Sequence, residues 1–342
     1  MPEEDDINNA DKHRHGHRHD GHSHSHTHGA VDPSILTTER GIRTVKWSFA
    51  GLFATALLQA IVVWFSGSVA LLADTLHNLG DAFTAVPLWV AFRLARREPT
   101  KRFTYGYGRV EDLAGVAIVL TILLSAIAAG YESVDRLLNP QKVEFLWAVI
   151  AASVIGFLGN EAVALFRIKV GKEIGSAALV ADGYHARADG LTSLAVLFGA
   201  LGVWLGFPPA DPLVGILITI GILRIVWQSG KTVFSRLLDG VDPEVVDEIR
   251  HAISHVPGVK EVNDIRVRWL GHRLHAELSI AVGVELSVEQ GHELAREARH
   301  QLLHRLRYLS NATIHVDPVT APGESHHYIA GHTHDGLPRH SH

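Results

Sequence analysis

Long stretches without any charged residue are the feature that most limits what this chain can fold into. Several of these stretches approach or exceed the roughly 20 apolar residues that a helix needs to cross a bilayer. Helices in soluble cores are rarely so long and so uncharged, so the pattern predicts an α-helical membrane protein. The segments that contain no Asp, Glu, Lys or Arg are 47–73, 113–131, 145–160, 190–210 and 212–223.

Breakers and basic residues divide the chain into six predicted spans. Lys and Arg concentrate before the first span, between the second and third, between the fourth and fifth, and after the sixth. Because basic loops stay in the cytoplasm, both termini are predicted to be cytoplasmic, and the compact chain suggests a plasma (inner) membrane. Arg167, Lys169 and Lys172 are assigned to the basic loop between spans four and five. The spans are predicted at about 42–66, 69–93, 111–135, 145–168, 176–206 and 212–234.

After Arg236 the composition becomes that of a soluble α+β domain. Pro243 is typical of the first position of a helix, and a second helix is predicted to open at Ser287. Two segments alternate polar and apolar residues on either side of Gly271–His272, which indicates a hairpin, and "ATIHVDP" is typical of a last strand. The predicted fold class is therefore an α-helical membrane protein with six transmembrane helices and a cytoplasmic αββαβ, ferredoxin-like C-terminal domain.

Two His-bearing tails flank these domains. The predicted division is a tail at about 1–39, a transmembrane domain at 40–236, a cytoplasmic domain at 237–319 and a tail at 320–342. The tails have too few apolar residues to build a core, so both are predicted to be disordered. We interpret "HRHGHRHDGHSHSHTHG" as a low-affinity metal trap; a solvated run and part of an expression tag are the alternatives. The chain has no cysteine, which excludes disulfides and thiolate metal sites.

Ionisable residues interrupt two of the apolar spans in the same pattern. "ADTLHNLGDAF" in the second span and "ADGYHARADGL" in the fifth share A-D-x-x-H-x-x-x-D. Spacings of three and four place side chains on one face of a helix. A charged group near the bilayer centre costs at least ~3 kcal/mol, so these groups must face each other, water or a metal. They are Asp74, His77, Asp81, Asp182, His185 and Asp189.

The orientation of the two spans selects four of these groups as ligands. Spans two and five are predicted to be antiparallel, so the centres of the two H-x-x-x-D pairs can lie at one depth. His77, Asp81, His185 and Asp189 then form one cluster of two imidazoles and two carboxylates. Four such ligands suit tetrahedral Zn²⁺, and two carboxylates cancel its charge. The alternative is a buried His–Asp hydrogen-bond network that only joins helices.

Asp74 and Asp182 fall outside that cluster. At ~1.5 Å per residue, Asp74 is displaced by about 7–8 Å toward the outside and Asp182 by as much toward the cytoplasm. Each of them either hydrogen-bonds at a helix interface or lines an access path, and the sequence leaves both alternatives open.

These features together resemble the cation diffusion facilitators, a family of proton-coupled exporters of divalent metals. The resemblance covers about residues 40–318 and rests on six spans, the two H-x-x-x-D pairs and an αββαβ domain that ends in "IHVDP". It implies a homodimer whose transport ligands are His77, Asp81, His185 and Asp189. His at both first positions is similar to the zinc-preferring members, since imidazole suits Zn²⁺ better than Mn²⁺.

The expected function is secondary active export of Zn²⁺ from the cytoplasm in exchange for protons, because protons and Zn²⁺ compete for the same ligand atoms. Cd²⁺, Co²⁺ and Fe²⁺ overlap with Zn²⁺ in ligand preference, so the sequence does not rank them. A membrane-embedded zinc sensor without transport is the alternative. A metalloenzyme is a weaker one, because H-E-x-x-H is missing. We expect metal ions, protons and the lipid bilayer as partners, no organic cofactor and no nucleic acid.

The resemblance also implies a regulatory zinc site in the cytoplasmic domain. His275, His292, His315 and Asp317 match the positions that hold a zinc pair in family members with this site. His315 and Asp317, at i and i+2 on a strand, are expected on one face. Asn263 stands at one further ligand position of the family, so the implied site has lost a ligand.

A pair of opposite charges is implied at the junction of the two domains. Arg109 and Asp239 match residues that lock the membrane and soluble parts together in relatives. The alternative is an ordinary basic residue of a cytoplasmic loop and a solvated carboxylate.

Overall fold

The computed structural model describes residues 33–66, 69–83, 85–139, 145–207 and 209–323. Within these residues, five helices are long and apolar enough to cross a membrane, namely α1 and α4 to α7 in the order below. The helices and strands are α1 (Pro33–Ser66), α2 (Val69–Phe83), α3 (Ala85–Ala95), α4 (Arg109–Leu138), α5 (Leu146–Ile174), α6 (Ala177–Trp204), α7 (Ala210–Leu237), α8 (Pro243–Ser254), β1 (Val259–Leu270), β2 (Arg273–Val282), α9 (Val288–Arg305) and β3 (Leu309–Pro318).

The second predicted span consists of two helices rather than one. α2 ends at Phe83 and α3 begins at Ala85, and the position between them lies outside the described residues. Pro87 explains the interruption, because a proline has no N–H to donate to the carbonyl of Phe83, four residues earlier. The segment 69–93 therefore keeps its predicted place in the chain, but α2 alone carries the first A-D-x-x-H-x-x-x-D pattern.

The prediction of a basic loop between spans four and five is wrong. Arg167, Lys169 and Lys172 lie within α5, which continues to Ile174, and Arg167 is 1% exposed. α5 contains no proline, and it ends at Gly175, whose φ of 74° lies in the left-handed region that glycine tolerates. The connection to α6 is therefore very short.

The first helix begins earlier than predicted. α1 starts at Pro33, so residues 33–39 form its first turns and do not belong to a disordered tail. Proline is favoured at the first position of a helix, because its missing N–H has no partner there in any case. Thr38, in this same part of α1, is completely buried. The remainder of the two predicted tails, residues 1–32 and 324–342, lies outside the described residues.

The cytoplasmic domain has the predicted αββαβ order, so the fold class is confirmed. Its sheet has the order β1-β2-β3, with β1 antiparallel to β2 and β2 parallel to β3. A parallel pair needs a crossover connection, and α9 provides it. Leu274, Ala276, Leu278 and Ile280 of β2 are buried in the core with residues of both helices, and the alternate residues form the opposite face of the sheet.

Candidate metal site

The interior of α6 holds two of the predicted transport ligands. Ser176 begins this helix as its N-cap, and its hydroxyl accepts a hydrogen bond from the Leu179 N–H. Two turns later His185 is 1% exposed, and Asp189, one further turn along, is 10% exposed. The His185 Nδ1 atom lies 3.7 Å from the Asp189 Oδ1 atom. An imidazole and a carboxylate therefore share one face of a membrane helix.

Asp81 lies on α2, next to a residue of a buried apolar cluster that α6 also enters. Ala82 and Ala186, the chain neighbours of Asp81 and His185, belong to one buried apolar cluster. One oxygen of the Asp81 carboxylate is itself buried. The two pattern-bearing helices are therefore connected through this cluster, which also includes residues of α1 and α5. The other members of the cluster are Leu52, Val163 and Ala164.

The remaining predicted ligand of this site is not described. The side chains of His77 and Asp74 lie outside the described residues, so their roles stay predictions. Among the side chains that are described, no three His, Asp or Glu residues are close enough together to hold a metal ion.

The buried amide of Gln59 on α1 joins the helices around the site, a role that the sequence pattern did not predict. Gln59 is 1% exposed, accepts a hydrogen bond from the Asn78 side chain at 3.0 Å and donates one to the Ala152 carbonyl at 3.2 Å. It therefore ties α1 to both α2 and α5, and Asn78 directly follows His77. The signal in the sequence was a polar glutamine inside a long apolar span, because a buried polar group needs a hydrogen-bond partner.

Asp182 lies in a buried ion pair. Its Oδ2 atom is 3.0 Å from the Arg167 Nη1 atom of α5, and neither side chain is more than 1% exposed. Arg167 also donates a hydrogen bond to the Asp182 carbonyl at 3.3 Å. This contact favours the helix-interface alternative for Asp182.

A second ion pair also joins α5 and α6. Arg187 donates two hydrogen bonds to Glu161, at 2.6 and 3.1 Å, in the bidentate geometry that guanidinium groups favour. The helix with the His185–Asp189 pair is thus held to α5 by charged contacts on both sides of His185 in the chain.

In the cytoplasmic domain, two of the four implied ligands lie together. The His315 Nε2 atom is 3.0 Å from the Asp317 Oδ1 atom, and the second oxygen of Asp317 accepts a hydrogen bond from the Gly323 N–H. His315 is exposed, whereas Asp317 is buried. The pair lines a cavity of about 400 Å³ on the open face of the sheet.

The other two implied ligands are apart from this pair within one protomer. His275 is opposite Asn311 in the β2–β3 register, and His315 comes four residues later, or about 13 Å along the strand. His292 lies on α9, which packs on the helical side of the sheet. Burial lowers the pKa of His275 from its ordinary 6.5, and the nearby Arg268 and Arg273 lower it further. The imidazole of His275 therefore stays neutral, as a metal ligand must be.

The implied charge pair at the domain junction is present. Arg109 at the start of α4 forms an ion pair with Asp239, which follows α7. Arg109 also donates hydrogen bonds to the carbonyls of Arg236 and Leu237. The guanidinium therefore joins α4 to the end of α7, at the point where the chain leaves the membrane domain.

Two family models together match nearly all of the described chain. The cation efflux transmembrane domain matches residues 45–238, and the cytoplasmic domain of cation efflux proteins matches residues 241–319. The chain belongs to the cation efflux family. This confirms the resemblance to cation diffusion facilitators and identifies a multi-pass membrane transporter of metal cations rather than an enzyme.

Individual cation efflux proteins are similar over most of their length. A "probable cation efflux system protein" of Mycobacterium tuberculosis strain H37Rv is 54% identical over 289 residues, covering 84% of this chain and 87% of its own. The zinc transporter ZitB of Escherichia coli K12 is 28% identical over 252 residues, covering 73% of this chain and 80% of its own. Magnetosome protein MamB of Magnetospirillum gryphiswaldense is 27% identical over 240 residues, covering 70% and 80%.

Proposed function

We propose that this cation efflux protein exports Zn²⁺ from the cytoplasm in exchange for protons, with His77, Asp81, His185 and Asp189 as the transport ligands. The observation that carries the proposal is the His185–Asp189 pair inside a membrane helix, which one buried apolar cluster connects to the helix that carries Asp81. Ionisable side chains in such a place are expensive and mark an ion pathway more often than a packing contact.

The ligand chemistry favours Zn²⁺ as the cargo. Imidazole nitrogen together with carboxylate oxygen suits a borderline metal, whereas Mn²⁺ prefers oxygen ligands. Two carboxylates also balance the two positive charges of the ion, which lowers the cost of holding it in a low dielectric. The similarity to a protein named as a zinc transporter supports the same choice. Cd²⁺, Co²⁺ and Fe²⁺ share these ligand preferences and are the competing substrates.

Proton exchange follows from the same ligands. An imidazole must be neutral to bind metal, and an unperturbed histidine titrates near ~6.5, inside the physiological range. Protons that enter from the outside therefore displace Zn²⁺ from the site, and the inward proton gradient drives export. This direction requires the cytoplasmic domain and both termini to lie in the cytoplasm, in a plasma (inner) membrane.

Regulation by metal would require a second copy of the chain. His275 and His292 do not meet the His315–Asp317 pair within one protomer, because of the strand register and the two faces of the sheet. We propose a homodimer in which residues of two copies complete the site. The neutral His275 and the exposed His315 are available for such a shared site.

The test is Zn²⁺-driven proton movement in proteoliposomes that contain the purified protein and a pH dye. Wild type should move protons when Zn²⁺ is added, and Asp189→Ala should fall to the level of protein-free liposomes. Asp247→Ala removes an exposed carboxylate of α8 and serves as the matched control, which should keep the wild-type rate. Undiminished flux in Asp189→Ala would contradict the proposed site. Zn²⁺ binding without proton movement in wild type would favour the sensor.

A further inference from the structure

The tip of the β1–β2 hairpin is buried among the membrane helices. His272 at this tip is 2% exposed, and both of its ring nitrogens have partners. Its Nδ1 atom lies 2.6 Å from the Glu111 Oε2 atom of α4, and its Nε2 atom lies 2.8 Å from the Thr38 hydroxyl of α1. One side chain of the cytoplasmic domain therefore contacts two membrane helices at once.

The backbone of the hairpin holds the same part of α4. The His272 N–H donates to Glu111 at 3.3 Å, and the Gly271 N–H donates to Asp112 at 3.2 Å. Gly108 permits this close approach, because a Cβ atom there would lie 2.6 Å from the Leu270 carbonyl oxygen. The first turn of α4 is thus fixed by side-chain and main-chain contacts together.

The contacts of the hairpin extend through α4 to α6, the helix that carries two of the proposed transport ligands. Glu111 lies in the first turn of α4, and α4 packs against the beginning of α6. One turn further along, Gly115 of α4 packs closely against the backbone of Ala178 of α6. His185 follows two turns after this contact.

A second contact of the hairpin reaches the turn before α6. The Arg236 guanidinium of α7 lies 4.1 Å from the centre of the Trp269 ring, and it donates a hydrogen bond to the Gly175 carbonyl. A cation held over an indole ring in this way is a favourable contact. The start of α6 therefore contacts α4 on one side and Arg236 on the other, and the hairpin contacts both Glu111 of α4 and Arg236.

We propose that His272 is a positioning residue for metal transport: through Glu111 it sets the position of α6 and thereby of His185 and Asp189. This contact differs from the Arg109–Asp239 ion pair, which joins α4 to the end of α7 and does not involve the hairpin. Burying an imidazole against a carboxylate costs more desolvation than an apolar contact would, and such contacts are best explained where one arrangement must be specified.

Three variants of the full-length protein in proteoliposomes test this role, with the initial rate of Zn²⁺ entry read by a trapped zinc-sensitive dye. His272→Ala should lower the maximal rate per folded molecule by about tenfold. The Zn²⁺ concentration at half-maximal rate should stay within about twofold, because the ligands themselves are intact. His272→Asn keeps a donor near Glu111 and should recover part of the rate. His300→Ala, an exposed histidine of α9, is the matched control and should match wild type.

A double-mutant cycle tests the path through Glu111. Glu111→Gln should lower the maximal rate as His272→Ala does, and the double variant should be no slower than the slower single variant. Rate losses that multiply in the double variant would overturn the proposal. If His272→Ala does not fold, His272→Asn and Glu111→Gln carry the test, and a wild-type rate in both variants would also overturn it.

Amide hydrogen exchange supplies a readout that does not depend on which metal is carried. His272→Ala should increase exchange at residues 177–183, at the start of α6, relative to wild type and to His300→Ala. A lower melting temperature with unchanged exchange and an unchanged rate would show that the hairpin only holds the domains together. Because this measurement needs no Zn²⁺ flux, failure of the zinc proposal and failure of the positioning role remain distinguishable.

Discussion

Neutralising Asp182 should destabilise the protein far more than neutralising an exposed carboxylate, because its partner Arg167 is buried with it. The two side chains are 0% and 1% exposed, and their charged atoms are 3.0 Å apart. In Asp182→Asn the guanidinium would remain in the helix interface without a counter-charge. Removing one partner of a buried ion pair costs about 3–5 kcal/mol.

The expected size of this effect separates it from ordinary surface changes. A loss of 3–5 kcal/mol corresponds to a fall in melting temperature of roughly 6–20 °C for a domain of this size. The exposed pair of Arg296 and Glu293 on α9 has a similar distance, 2.8 Å, but exposed fractions of 71% and 51%. Glu293→Gln should therefore cost no more than about 1 kcal/mol, since solvent screens the attraction.

Thermal unfolding in nanodiscs, followed by intrinsic tryptophan fluorescence, measures both changes in the same protein. The double variant Arg167→Met with Asp182→Asn should regain most of the lost stability, because no buried charge is then left without a partner. If Asp182→Asn is as stable as Glu293→Gln, the ion pair contributes little and the argument is refuted. A stable Asp182→Asn with a raised Zn²⁺ requirement would instead favour the access-path alternative.

Three further predictions concern packing, pH and the N-terminal tail. Gly183→Ala should cost about 1–3 kcal/mol in the same unfolding assay, because a Cβ there would lie 2.9 Å from the Ile168 nitrogen; Gly221→Ala, in open space, should cost much less. Burial lowers the pKa of His275, so the unfolded chain binds more protons and stability should fall as the pH drops below about 6.5; in metal-free buffer, His275→Gln should flatten this dependence. Deleting residues 1–30 should change the apparent affinity for Zn²⁺ and leave the maximal transport rate largely intact, as dye-based flux over a range of Zn²⁺ concentrations would measure.

The sequence predicted the fold class because its signals are local. Uncharged runs predict membrane helices, and alternation around Gly271 predicts a hairpin, without any knowledge of neighbours in space. The loop assignment failed for Arg167 for the same reason: a count of basic residues near helix ends does not show a carboxylate on another helix. A helix without a proline continues to Ile174, and Asp182 provides the partner that makes burial of the arginine acceptable.

Contacts between distant parts of the chain were not predictable from its pattern. His272 lies at the turn of a hairpin, where a histidine is ordinarily exposed, yet its two partners are 161 and 234 positions away. The implied cytoplasmic site shows a related limit. Resemblance supplied His275 and His315 by position, but only the β2–β3 register shows that they are separated along the sheet. Residue identity can therefore be assigned before the geometry is known, whereas a shared site requires the pairing of the strands.

The two aspartates of the A-D-x-x-H-x-x-x-D pattern on α6 have different partners. Asp182 is already neutralised by a guanidinium, which stays protonated at any physiological pH and would repel a dication brought beside it. Asp189 instead lies 3.7 Å from the His185 imidazole, and an imidazole, unlike a guanidinium, has a neutral form that can bind a metal. Identical spacing in the sequence thus yields one ion pair with a permanent cation and one imidazole–carboxylate pair, which is the pair that we propose for transport. A transport site needs the second kind, because a ligand set that cannot release its own positive charge cannot exchange protons for metal.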